Sequence, residues 1–502
     1  MNKYLIIDQN DNVAVALKDI FKGEIVHNIT IKSDIKVGHK FALKNIQKGE
    51  NIIKYGYPIG HAKSDIEIGD WVHSHNLDTN LNSIEKYEFC KVFEKINSIK
   101  EEKYVNVYRR KFNRFGIRNN FIIVPLVGCV NGQADKIKDK IISDNSLNSY
   151  DNIIVAKHPF GCSQLGGDLE FTKKILSSIV KHPNNGGVLV LSLGCENNEL
   201  DKFIEFLGDD YDQDRVAFLK AQSVEDEIET GYELAKEIIK KMSYDKREKE
   251  PLSVINIGLK CGGSDGFSGI SANPLVGLIS DYVSINGGTT ILSEVPEMFG
   301  AETILMNRAK DEKTFQKIVS LINGFKQYYT DHHQVCYENP SPGNKEGGIT
   351  TLEEKSLGCV QKSGHSEVND VLYVGDKCVE HGLNLLNGPG NDMMACTNIA
   401  SIGSQLILFT TGRGTPFGTY VPTIKISTNT ALSIKKSKWI DFNAGRIVDG
   451  EDMNSVFKAF LDYIIKVING ETYAKNEING FNEISIFKDG VTLWKLELGY
   501  MI

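Results

Sequence analysis

The chain has 502 residues, 41% hydrophobic and 24% charged, with a net charge of -8, enough for roughly two to four globular domains. The absence of a long basic run argues against nucleic acid as a partner, and no apolar stretch approaches the ~20 residues that span a bilayer. Residues 1–8 hold no secretory signal and the nine cysteines are odd in number, so the sequence predicts reduced thiols in a cytoplasmic protein.

Residues 1–95 read as a small β-rich unit. The runs 13–16, 40–43 and 51–55 are strand-like, with Gly23, Gly38, Gly49, Gly56, Gly60 and Gly69 as turns between them. His73-Ser74-His75 puts two imidazoles on one side of an extended strand, with His39 and His61 upstream. Three such donors would leave positions on a divalent metal open to a substrate; hydrogen-bonded imidazoles are the alternative. The polar stretch 85–103 is the linker candidate.

From 104 to 250 apolar runs (121–127, 153–156, 188–191) alternate with helix-length segments such as 168–181. That alternation predicts parallel strands covered by helices, an α/β fold class. Gly128-Cys129, Gly161-Cys162 and Gly194-Cys195 recur every 33 residues, and Cys261-Gly262 falls two steps later. Each stands at or beyond a strand's carboxyl end, where open α/β sheets bind ligands. Thiols on one rim could bind metal; packing as small hydrophobes is the alternative.

Residues 251–502 form a second α/β unit. Strand candidates at 253–259, 371–374 and 405–409 precede polar, glycine-rich segments: Cys261 to Gly269, Gly388-Pro389-Gly390-Asn391-Asp392 and Thr411 to Gly418. Ser293-Glu294-Val295-Pro296-Glu297 follows another. The 261–269 turn has the layout of an anion cradle at a helix start, but no Gly-x-Gly-x-x-Gly or Gly-Lys-Ser/Thr fingerprint of a nucleotide site. The loop 341–359 offers free amides and Lys345 to an anionic oxygen. A terminal helix is expected at 455–468, with strand-like residues near Ile484 and Trp494.

Together, Gly38-His39-Lys40, His73-Ser74-His75-Asn76, Asn113-Arg114-Phe115-Gly116-Ile117-Arg118-Asn119, Gly161-Cys162-Ser163-Gln164, Gly194-Cys195-Glu196-Asn197, the 261–269 turn, 341–359 and 411–418 resemble the altronate/galactarate dehydratase family. The resemblance runs from about residue 10 to about 445. It implies an N-terminal SAF domain, a catalytic body, and dehydration of a hexonate or hexarate to a 2-keto-3-deoxy acid. It also implies a divalent metal, Fe(II) or Mn(II). A related branch expels sulfite from sulfolactate, and the motifs do not separate the two.

Such chemistry removes a weakly acidic C2 proton and expels hydroxide from C3, so it needs an acid, a base and a stabiliser for the enediolate. Ligand chemistry places the metal on His73 and His75 with His39, or alternatively on Cys129, Cys162, Cys195 and Cys261. Glu294, Glu346, Asp265 and Lys345 are the expected catalytic groups. Arg118, Ser264, Asn344, Arg413 and Lys425 are the expected substrate contacts. A sugar-acid-binding protein without turnover is a second reading. An iron–sulfur hydro-lyase is a third, with dispersed ligands because no compact Cys-x-x-Cys exists. The expected partner is a small sugar acid, and a homo-oligomer is left open.

Overall fold

The computed structural model describes residues 3–81, 84–92, 96 and 100–489. Trp494 lies outside them, and Ile484 is buried outside any strand.

The N-terminal unit folds from very short strands. Tyr4–Leu5, Val13–Ala16, Lys40–Ala42 and Trp71–Val72 form one antiparallel sheet, and Asn51–Lys54, Tyr57–Ala62 and Leu77–Asp78 a second. The chain turns so tightly that a Cβ at Gly60 would lie 2.1 Å from Asp78 O, which only glycine permits. Ala14, Ala16, Ile20 and Phe41 make a core of the unit's own. Val13, Ile52, Ile59 and Val72 instead join the core of the C-terminal body. Beyond the unit the chain is tied to that body: Tyr87 Oη donates to Glu302 at 2.6 Å, and the rings of Phe89 and Phe315 lie 5.0 Å apart.

The middle unit has a parallel sheet in the order Ile153–Val155, Asn120–Pro125, Asn185–Ser192, Val216–Lys220. Its β-branched runs are buried on both faces, as parallel strands require. Phe121 and Ile123 pack toward Asn131–Ser143 and Glu227–Met242, while Ile122 and Val124 join a core shared with the C-terminal body. Tyr104–Arg110 runs antiparallel between Arg114–Gly116 and Arg247–Pro251 in a separate small sheet.

The C-terminal body is built on a seven-stranded parallel sheet. Its order is Val368–Leu372, Gly382–Leu386, Thr289–Leu292, Asn256–Cys261, Leu406–Thr411, Thr423–Ser427, Phe442–Asn443. From the central strand Asn256–Cys261 the chain first goes to one side, through Ala272–Ile285 to Thr289–Leu292. The strands on the other side come later in the sequence. Its carboxyl end is therefore a topological switch point, where an α/β sheet opens a crevice. The helix Met453–Ile468 closes the body with Phe460, Ile464 and Val467 inward. Among the described residues no helix is long and apolar enough to cross a membrane.

Candidate active site

After Asn256, the strand Asn256–Cys261 is apolar as far as Lys260 and Cys261, both fully buried. Both approach the same carboxylate oxygen, with Cys261 Sγ 4.0 Å from Glu294 Oε1. Lys260 contacts Glu294 and lies 2.9 Å from Asp392 Oδ1. Cys261 Sγ lies 3.3 Å from Cys359 Sγ and 3.3 Å from Glu297 Oε2, and Cys359 Sγ lies 3.1 Å from that same oxygen. Lys362 Nζ donates to Cys261 Sγ at 2.8 Å and to Glu294 Oε2 at 3.3 Å. Lys355 Nζ closes the ring, 2.9 Å from Glu297 Oε1.

Three segments bring these groups together. Glu294 and Glu297 sit on the turn after Thr289–Leu292. Glu294 adopts φ 72, ψ 57, a left-handed conformation that costs a non-glycine residue of order 1–3 kcal/mol and tends to persist at functional sites. That backbone lets its carboxylate accept the Cys261 amide at 3.1 Å. Lys355 and Cys359 lie on Leu352–Val360, a helix whose nine residues are all buried. Lys362 follows on the next turn.

Burial pushes the Glu294 carboxyl up, against Lys260 and Lys362. Glu297 goes the other way: burial would raise it, but Lys355, with Lys260 and Lys362, holds it well below the carboxylate range. The Cys359 thiol is driven far up by its hydrogen bond with Cys261 and by burial.

Cys261, Glu297 and Cys359 form the group of His, Cys, Asp and Glu ligand atoms that, among the described residues, lie within 4.8 Å of one another. Their donors fit the divalent metal implied by the family. Two sulfurs and one oxygen suit Fe(II) better than the harder Mn(II). The charges agree. With both thiols ionised, five anionic groups (Glu294, Glu297, Asp392, Cys261, Cys359) face three lysines, and one divalent cation restores neutrality. Beside the cluster, Ser264, Lys355, Gly358 and Cys359 line a recess that holds about one water molecule. Ser264 Oγ is buried without a hydrogen-bond partner. Wider clefts lie elsewhere, two along Arg114, Lys181 and His182 and one lined by Phe171, Tyr328 and Pro389.

Three sequence models match in tandem: the altronate/galactarate dehydratase SAF domain over residues 2–80, the D-galactarate dehydratase/altronate hydrolase second domain over 107–243, and the D-galactarate/altronate dehydratase C-terminal domain over 252–492. The chain is 53% identical over 500 residues to the altronate dehydratase of Bacillus subtilis (strain 168), covering 98% of this chain and 100% of that one. The chain belongs to the altronate/galactarate dehydratase family. It is 49% identical over 496 residues to the altronate dehydratase of Escherichia coli (strain K12), with 98% and 100% covered. To the galactarate dehydratase (L-threo-forming) of the same strain it is 31% identical over 521 residues, with 96% of each chain covered.

The histidine metal site is not formed in this family member's structure. His39 Nδ1 accepts from Trp71 Nε1 at 3.2 Å, which leaves Nε2 as the donor to Glu346 O at 3.1 Å. His73 Nε2 donates to Lys345 O at 2.9 Å, and its Nδ1 meets Ser74 Oγ at 3.0 Å. Neither ring keeps a free lone pair for a cation. His75 is exposed and packs against Trp71, and His61 meets Asn80. These rings hold the SAF domain against the 345–346 turn.

Several other expectations are likewise corrected. Arg118 is wholly buried and engaged by Glu477, Ile117 O and Val467 O, so it braces the C-terminal segment instead of gripping a substrate. Asp265 accepts from Thr428, Ser268 and Phe267 N and ties loops together. Glu346 pairs with Arg413 at 2.7 Å on the surface. The carbonyl of Lys345, instead of its ammonium, makes the contact noted above. Asn344 is buried, donating to Ser264 O at 2.8 Å and accepting from Lys355 at 3.3 Å; both asparagine and serine thus border the cluster. Lys425 bonds Phe417 O and lies 5.2 Å from the centre of the Phe409 ring, whose plane also receives Lys260 at 5.7 Å. Burial pushes Lys425 down to about 8. Cys261 is in the cluster, but Cys129, Cys162 and Cys195 are exposed on the middle unit and do not join it. Lys260, Glu297, Lys355, Cys359 and Lys362 were not singled out as site residues by the sequence.

Proposed function

We propose that this protein is a hydro-lyase that dehydrates altronate, or a closely related sugar acid, to a 2-keto-3-deoxy acid at the Cys261–Glu297–Cys359 cluster. The observation that carries the reading is the full-length similarity to two altronate dehydratases, joined to a buried cationic and acidic cluster at the switch point of the sheet. Lys355 and Lys362 present ammonium groups that would neutralise a carboxylate and the charge developing on its enediolate. Glu294, between Lys260 and Lys362, is placed to take a proton from the substrate and then pass it to a departing hydroxide. Ser264 Oγ offers an unspent hydroxyl to a substrate oxygen. Cys261, Cys359 and Glu297 would hold a divalent metal, which when bound supplies Lewis-acid polarisation of the substrate oxygens.

The test is incubation of the purified protein with altronate, galactarate and sulfolactate under anaerobic conditions, with Fe(II) or Mn(II) added, followed by assay of keto product. Turnover of altronate with Fe(II) supports the reading. Bound sugar acid without product would make the protein a binder, and sulfite release from sulfolactate alone would move it to the other branch.

A further inference from the structure

Free cysteine is among the most buried of side chains, yet Cys129, Cys162 and Cys195 are all exposed. They share one place. Cys129 follows Asn120–Pro125, Cys162 follows Ile153–Val155 and Cys195 follows Asn185–Ser192, three neighbouring parallel strands with the first in the middle. All three thiols therefore stand at the carboxyl edge of the middle unit's sheet.

The turns that carry them are bonded to each other. Gly128 N donates to Phe160 O at 2.9 Å, Asn198 N to Gly161 O at 3.0 Å, Asn198 Nδ2 to Leu126 O at 3.1 Å and Ser163 N to Asn197 Oδ1 at 2.7 Å. The glycines before Cys129 and Cys162 make the approach feasible. A Cβ at Gly161 would lie 2.1 Å from Leu126 O, and one at Gly128 would lie 2.9 Å from His158 O. In the same turns Asn131 Oδ1 and Asn198 Oδ1 are buried without a hydrogen-bond partner. An orphaned buried acceptor in a native fold calls for a donor such as an ordered water. The helices Asn131–Ser143 and Gly166–Val180 start at this edge, and helix starts favour anionic sulfur.

The spacing excludes one kind of ligand. Among the described residues these three sulfurs do not converge within 4.8 Å, so one tetrahedral ion, with metal–sulfur bonds of ~2.3 Å, does not span them. A polynuclear cluster separates its cysteines more widely. We propose that Cys129, Cys162 and Cys195 hold an iron–sulfur cluster of the four-iron type, three irons bound by these thiolates and the fourth left without a protein thiolate. This site is separate from the Cys261 cluster and does not depend on it.

The full chain is purified anaerobically, reconstituted with Fe(III), sulfide and a thiol reductant, desalted and assayed. A broad visible absorbance with about four sulfides and four cluster irons per chain is expected, beside up to one further iron at the Cys261 site. Cys129→Ser, Cys162→Ser and Cys195→Ser should each lose most of the sulfide and the colour. Cys90→Ser, Cys261→Ser and Cys359→Ser should keep both. Wild-type protein that takes up no sulfide overturns the proposal, as does a triple serine variant that retains it. Iron without sulfide, lost on Cys261→Ser, would mark the other site alone and also overturn it. Should a serine variant fail to fold, alkylation of the reconstituted wild type decides: Cys129, Cys162 and Cys195 must be protected relative to apoprotein, and equal labelling in both overturns the assignment.

Discussion

At the end of Asn256–Cys261 the side chains of Lys260 and Cys261 both reach Glu294, and Cys261 also meets Glu297 and a second thiol. Cys261→Ser or Cys359→Ser changes the volume little but replaces a soft donor. Fe(II) affinity should fall by at least ~10–100-fold and turnover with it, with the fold intact by circular dichroism; metal analysis after chelator dialysis checks this. Glu294→Gln keeps the shape of the turn while removing the group that carries the proton, so kcat should fall by ~10²–10⁴ with a smaller change in KM. A fall below tenfold in steady-state kinetics removes Glu294 from proton transfer. Glu294 and Cys261 were legible because each sits just past an apolar run, where a sheet exposes its chemistry. Lys260 was not, because a single lysine inside such a run reads as a strand terminus. Lys355 and Cys359 were hidden for another reason. Periodicity assumes that a helix has a solvent face, and Leu352–Val360 has none, so its charges read as surface when they are partners of other buried charges.

Leu352–Val360 also decides how the SAF domain is held. Its Glu354 receives Lys40 at 2.8 Å and Lys54 at 2.8 Å, all fully buried, with Thr350 N adding a third donor at 2.8 Å. Burial would raise Glu354, but the two lysines hold it far down; burial, less fully offset, pushes Lys40 down to about 8. Glu354→Gln leaves two ammonium groups buried without their anion. It should cost about 3–5 kcal/mol, seen in chemical denaturation and as easier cleavage between the SAF domain and the body. Acid should loosen the same contact. Burial pushes His73 down to about 4 from an ordinary value of about 6.5, so the released chain binds more protons than the docked one between those values. Docking is complete above about pH 6.5 and weakens as pH falls toward 4, and His73→Gln, which cannot titrate, should reduce the dependence in limited proteolysis, with burial-lowered His39 at the same contact supplying the remainder. The alternating strands and helices of both α/β units could be read from sequence because their periods are strong. The SAF strands were harder, several being two residues long, too short for alternation to register. The histidines were misread because His-x-His spacing states where two rings point and says nothing of the carbonyls waiting on another domain.

The whole molecule places its reacting groups under a closed contact. The recess beside Cys359 holds about one water, and the SAF residues Lys54 and Tyr55 form part of its wall. Gly266 N donates to Gly347 O at 2.7 Å, and a Cβ at Gly348 would lie 2.3 Å from Gly38 O, so three segments meet backbone to backbone over the cluster. A six-carbon acid cannot pass such a seam unless the SAF domain and the 341–348 turn move apart. The parting has to be local, because the SAF face that carries Val13, Ile52 and Ile59 is continuous with the body's core and its release would expose that surface to water. Hydrogen exchange should therefore show amides at 347–349 and 38–40 opening far more readily than those of Asn256–Cys261 in the free protein. Adding a non-reacting sugar acid should slow exchange at those amides selectively, by at least tenfold at saturation. Unchanged exchange there, with protection appearing instead along Arg114 and Lys181, would move substrate binding to the cleft between the middle unit and the body.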